Sequence, residues 1–167
     1  KHSEVLEQTK ASAEKQEAWR QQSVDSMLQF ANVFHKDERA IAVLTNAAQA
    51  LFALKQFDRA IDVANGLIKN HKQLNPSLKQ TAYGILAHSY FQKGEYQLAQ
   101  NNYTTQRNIL QKDMKVAKTS AEYKDISNQI AASIYKKAEQ HKQAKHNQLA
   151  INKLLSVKKL APSSKIR

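Results

Sequence analysis

The chain is predicted to be all-α, built from antiparallel helix pairs packed side by side, and three observations point there. Apolar residues recur with helical period through almost all of its 167 residues. No segment alternates apolar and polar residues for long enough to make a strand. Only three glycines and two prolines are present, too few for the many turns of a sandwich or barrel. The hydrophobic fraction of 41% is enough for a packed core and too high for a disordered chain. The length suits a single domain, 1–167.

Residues 3–18 and 21–34 read as the first two helices, with Ala18, Trp19 and Arg20 at their junction. In the next, Val43, Leu44, Ala47, Ala48, Leu51 and Leu54 fall on one stripe. After a break at Lys55 and Gln56, a fourth helix aligns Phe57, Ala60, Ile61, Ala64, Leu67 and Ile68. Asn75 is placed to cap a fifth, with Pro76 in its first turn. That helix carries Tyr83, Leu86, Ala87 and Tyr90, and Gly94 ends it in a left-handed cap. A sixth carries Tyr96, Ala99, Tyr103 and Leu110, followed by a loosely specified connection over 115–120. A long helix over 121–143 and a last one over 147–160, stopped before Pro162, complete the set. The expected organisation is four helix pairs, 3–36, 41–74, 80–113 and 131–164, with an irregular insertion over 114–130.

These pairs resemble one another. The third reads Tyr83-x2-Leu86-Ala87-x2-Tyr90 and then Gly94-x-Tyr96-x2-Ala99-x3-Tyr103. The second repeats it more weakly with Leu44, Ala47, Ala48 and Leu51, then Phe57, Ala60 and Ala64. In the fourth, Ile134 and Ala138 precede Ala150, Leu154, Val157 and Pro162; in the first, Ser23, Met27 and Phe30 take the second helix's places. A small residue such as Ala60, Ala99 or Ala150 lets two helices approach closely, and a neighbouring ring fills the remaining gap. This pattern resembles the tetratricopeptide repeat (TPR). Ser23, Ala60, Ala99 and Ala150 stand 37, 39 and 51 residues apart, all longer than that family's period of about 34. The largest excess falls around 114–130, where longer helices or a bridging turn are expected.

The resemblance implies a right-handed superhelical solenoid acting as a non-enzymatic scaffold that holds a peptide or partner segment in its concave groove. Carried over residue by residue, the groove would take Thr45, Asn46, Gln49 and Phe52 from the second pair. Thr81, His88, Phe91 and Gln92 come from the third, and Tyr135, Lys136, Glu139 and Lys142 from the fourth. Asn46 and Gln49 would hydrogen-bond a peptide backbone, Phe52 and Phe91 anchor it, and Lys136 and Lys142 attract an acidic stretch. The family's clamp for a C-terminal carboxylate is not expected. Gln49 and His88 stand where it has asparagine or its equivalents, and Thr81 and Ala42 replace basic residues. The same likeness suggests a fragment of a longer bacterial TPR protein, in the cell envelope or cytoplasm, with self-association through exposed solenoid ends as a further expectation.

Catalysis finds little support. The six histidines are dispersed, and His141 and His146, five apart, do not share one helix face as a metal pair would. There is no zinc-protease motif, phosphate-cradling glycine loop or nucleophile elbow, so neither cofactor nor metal is expected. Cysteine is absent, which excludes disulfides and thiol chemistry. The longest uncharged stretch, Ala40 to Leu54, is 15 residues and too polar to cross a bilayer. The formal net charge is +12, with nine basic residues and one acidic in 131–167. The alternative reading is therefore a basic helical module for nucleic acid or an anionic membrane surface. No RNA-reading signature accompanies the lysines, and Arg167 is the lone arginine among them, which favours a protein partner.

Overall fold

A computed structural model describes the backbone of residues 2–71 and 74–160 and the side chains of 11–71 and 74–157. Among the described residues there are seven α-helices and no strand. They are α1 (His2–Val33), α2 (Glu38–Ala53), α3 (Phe57–Asn70), α4 (Pro76–Gln92), α5 (Tyr96–Lys112), α6 (Ala121–Gln143) and α7 (Asn147–Leu160). From α2 onward the helices follow the expected order. The first two predicted helices, 3–18 and 21–34, are instead one continuous helix. Nothing between Ala18 and Gln21 breaks a helix: alanine, arginine and glutamine all favour it, and neither glycine nor proline intervenes. The stop expected at Pro162 lies outside the described residues.

Local chemistry sets the helix starts. Asn75 Oδ1 accepts from Leu78 N at 2.9 Å with Pro76 in the first turn, as its sequence signature predicts. Ser120 caps α6 by accepting from Tyr123 N at 3.2 Å, and Asp37 caps α2 through Arg39 N at 2.8 Å. The helix ends repeat one another more closely than the side chains do. After α2, Gln56 N donates to Leu51 O and Lys55 N to Phe52 O. Glu95 and Gly94 do the same to Tyr90 and Phe91, and His146 and Lys145 to His141 and Lys142. In each turn the central residue is left-handed: Lys55 at φ 59°, Gly94 at 77° and Lys145 at 60°. Five residues beyond each lies a buried alanine, Ala60, Ala99 or Ala150. The repeat detected in the side chains is thus also present in the backbone hydrogen bonds.

Each helix packs on its sequence neighbours, with α2 also reaching α4. Two hydrophobic clusters result. One joins Val24 of α1, Ala48 and Leu51 of α2, Ala60, Ile61 and Ala64 of α3, and Ile85 and Leu86 of α4. The other joins Ala87 of α4, Ala99, Tyr103 and Leu110 of α5, Ile126, Ile130, Ala131 and Ile134 of α6, and Val157 of α7. Helix α4 therefore serves both, and Tyr90 packs against each. Polar ties reinforce the row: Arg59 pairs with Asp25 at 2.9 Å, and Gln140 Nε2 donates to Gly94 O at 2.9 Å. In α7 the repeat is incomplete. Ala150 and Val157 are buried, but Leu154, expected beside them, is exposed with Leu149, Ile151 and Leu155.

Two tests follow from this packing. Ala99→Glu places an unpaired charge between α4 and α5 and should cost about 3–5 kcal/mol, read as a lowered denaturation midpoint in circular dichroism. The three equivalent turns should respond with opposite signs to glycine exchange. Lys55→Gly and Lys145→Gly each relieve a left-handed side chain and stabilise by about 1 kcal/mol, whereas Gly94→Ala destabilises by about as much. Urea unfolding of the three variants measures both directions.

Candidate functional site

Four of the residues assigned to a groove from sequence line one hollow. Gln49 and Phe52 enter it from α2, and Thr81 and His88 from α4. Its volume is about 290 Å³, and Gln80, Gly84 and Ile85 of α4 with Gln106 of α5 complete the lining. The α2–α4 packing brings these side chains together although α2 and α4 are separated in sequence by α3. Among the described residues, no lining side chain carries a formal charge at neutral pH.

The aromatic side of the hollow is a connected stack. The Phe52 ring lies 5.6 Å from Phe57 and 5.9 Å from His88, and His88 meets Tyr103 edge-on at 5.1 Å. Tyr103 is fully buried, and its Oη lies 2.7 Å from His88 Nδ1. Burial pushes the Tyr103 hydroxyl upward, so it stays protonated and shares a hydrogen with His88 Nδ1. His88 as a residue is exposed, yet rings on one side of its imidazole displace water, and this desolvation lowers its pKa. The shift favours the neutral imidazole.

The other assigned residues are placed differently. Thr45 is buried, and its hydroxyl donates to Ile41 O at 2.9 Å, so it offers nothing to a ligand. Thr81 lines the hollow, but its hydroxyl is similarly engaged with Ser77 O at 3.0 Å. Asn46 and Gln92 are exposed on α2 and α4 outside the lining of this hollow. Phe91 is half-buried against the second core cluster and meets Tyr96 at 5.2 Å, which makes it largely a packing residue.

Tyr135, Glu139 and Lys142 of α6 line a separate hollow of about 440 Å³, together with Ala138, Gln143 and, from α7, Ala150 and Leu154. Lys136 is exposed and pairs with Glu139 at 2.8 Å. The pairing raises the lysine's pKa and lowers the glutamate's, each through the hydrogen bond between them. Lys153 donates to Gln97 Oε1 at 3.2 Å. Part of the basic block is thus already engaged in local contacts.

Sequence reasoning missed Gln80, Gly84, Ile85 and Gln106. The available signal was Gly84: a glycine inside a helix costs about 1 kcal/mol against alanine, which calls for a reason such as close approach. One contact also differs from expectation. The turn after α6 carries His146 back towards His141, and their rings lie 6.2 Å apart. His141 has its pKa lowered by desolvation and then by Lys137, His146 and Lys153, an electropositive setting that disfavours a metal cation. Among the described residues no group of three or more histidine, cysteine or acidic side chains is arranged to hold a metal, and no helix is long and apolar enough to cross a membrane.

No protein-family model, curated protein or solved structure matches the chain.

The depressed His88 pKa fixes the sign of a pH effect. Below its unfolded value of about 6.5 the unfolded chain binds the proton more readily than the folded one, so stability falls as pH drops through that value. Urea unfolding at pH 7.5 and 5.5 should show this loss. His88→Gln should reduce it, leaving the part contributed by His141, which is shifted in the same direction.

Proposed function

We propose that this chain is a non-enzymatic interaction scaffold of TPR-like helix pairs, holding a peptide or partner segment in a concave groove. The observation that carries this reading is the convergence of Gln49, Phe52, Thr81 and His88 on one hollow. The resemblance assigns all four to the groove, from two different helix pairs. The equal turns at Lys55, Gly94 and Lys145, each followed by a buried alanine, support the repeat on which that assignment rests.

In this scheme the hollow between α2, α4 and α5 supplies hydrogen bonds and an aromatic wall, and the α6–α7 hollow supplies Tyr135 and Lys142. Lys136 acts less as a free cation than as half of its pair with Glu139. An acidic stretch of the partner would lie nearer Lys142, drawn by the excess positive charge of the C-terminal third. Membrane or nucleic-acid binding through those lysines is the competing reading.

The test is a peptide selected from a random library on the intact chain. The triple variant Asn46→Ala, Phe52→Leu, Lys142→Glu should weaken it at least ten-fold, with an unchanged circular-dichroism spectrum. Full affinity in the variant would rule the surface out. Tight binding of duplex DNA or anionic vesicles at low salt, with no peptide selected, would favour the competing reading instead.

A further inference from the structure

We infer that the hollow between α2, α4 and α5 is a receptor for an uncharged primary carboxamide, the side chain of a glutamine or asparagine on a partner polypeptide. The inference takes the groove reading for the source of the amide and adds the chemistry recognised.

The central residue is Gln106. It sits on α5 yet lines a hollow otherwise formed by α2 and α4. Gly84 makes this possible: a Cβ there would stand 2.8 Å from Gln106 Nε2 and 3.3 Å from its Cδ, so the carboxamide occupies space that any other residue at position 84 would fill. Gln106 is 8% exposed, and its Oε1 is buried without a hydrogen-bond partner. Buried polar atoms are nearly always paired, and this acceptor is closed to solvent as it stands, so the carboxamide must turn towards the open hollow to meet a guest. Rotation of the carboxamide exchanges its oxygen and nitrogen, so it can meet either polarity of a guest.

The rest of the lining narrows the guest. Gln80 donates its Nε2 to Glu122 at 3.1 Å, which leaves its carbonyl oxygen as a second acceptor. A primary carboxamide brings two N–H groups to two such acceptors, and its own carbonyl needs a donor, which Gln49 can supply. Phe52 and Ile85 form apolar walls suited to a methylene arm. Thr81 has its hydroxyl engaged, and among the described residues no charged side chain lines the space. A carboxylate or ammonium would lose its hydration here without gaining a counter-charge in the lining.

The experiment is a ¹H–¹⁵N NMR titration of the intact chain with N-acetyl-glutamine N-methylamide, beside the same capped forms of glutamate, lysine and leucine. The expected result is a saturable shift of the Gln106 side-chain NH₂ and of the Gly84 and His88 amides with the glutamine probe, and at least ten-fold weaker responses to the others. Gln106→Leu, which keeps the side chain's bulk, and Gly84→Ala, which displaces it, should each weaken the glutamine probe at least ten-fold. Equal or stronger binding of the glutamate, lysine or leucine probe would overturn the inference. So would unchanged affinity in Gln106→Leu, or no saturable shift, which would mean that water alone satisfies Gln106. Because the probe is a single capped residue, its failure leaves groove binding by other contacts intact. Full peptide affinity in the triple variant, which rules out the groove surface, likewise leaves this pocket's selectivity to be decided by the capped-residue titration.

Discussion

Close approach of paired helices at a small side chain is the constraint on which the molecule depends. Ala60, Ala99 and Ala150 are buried where the second helix of each pair meets the first, and each follows a left-handed turn residue by the same five positions. The turn sets direction and register, and the alanine sets distance. With the helices this near, Tyr103 can be wholly buried and still reach His88. The same nearness lets Gln106 extend over Gly84 towards the opposite face of α4. A hydrogen-bonding side chain from the back helix thus enters a hollow on the front.

Helix α4 shows what such an array asks of a shared element. Ile85 and Leu86 serve one hydrophobic cluster and Ala87 the other, so its apolar residues nearly surround it instead of forming one stripe. A helix buried on two sides has little surface left for polar groups. The surface it keeps carries Gln80, Thr81 and His88, and with the buried Gly84 these become the wall of the hollow. Charge and hollow are separate features of the chain. The excess positive charge lies in the C-terminal third, where it acts at long range, while the hollow at the centre is lined by neutral groups that act only on contact.

Most of the helix order was legible in the sequence because its signals are local. Asn75 with Pro76, Gly94, and the apolar stripes of 40–54 and 57–68 each act within a turn or two of chain. The failures have physical causes too. The division expected at Ala18–Arg20 does not exist, because no residue there opposes a helix. Thr45 has the right helical phase for a groove but turns its hydroxyl to its own backbone, a competition that spacing cannot display. Gln106 was invisible for a different reason. Its role depends on a missing side chain twenty-two positions earlier, and periodicity records the side chains that are present.

The continuous first helix has a mechanical consequence. Residues 11–20 are exposed on every side, Trp19 among them at 77%, whereas Val24 and Ala31 are anchored in the body. The exposed stretch is held by its own backbone ladder and by continuation of the anchored half, because no described residue packs upon it. Its amides should therefore lose protection progressively with distance from Val24, long before the body opens, so that α1 frays from one end as a graded spring fixed at the other.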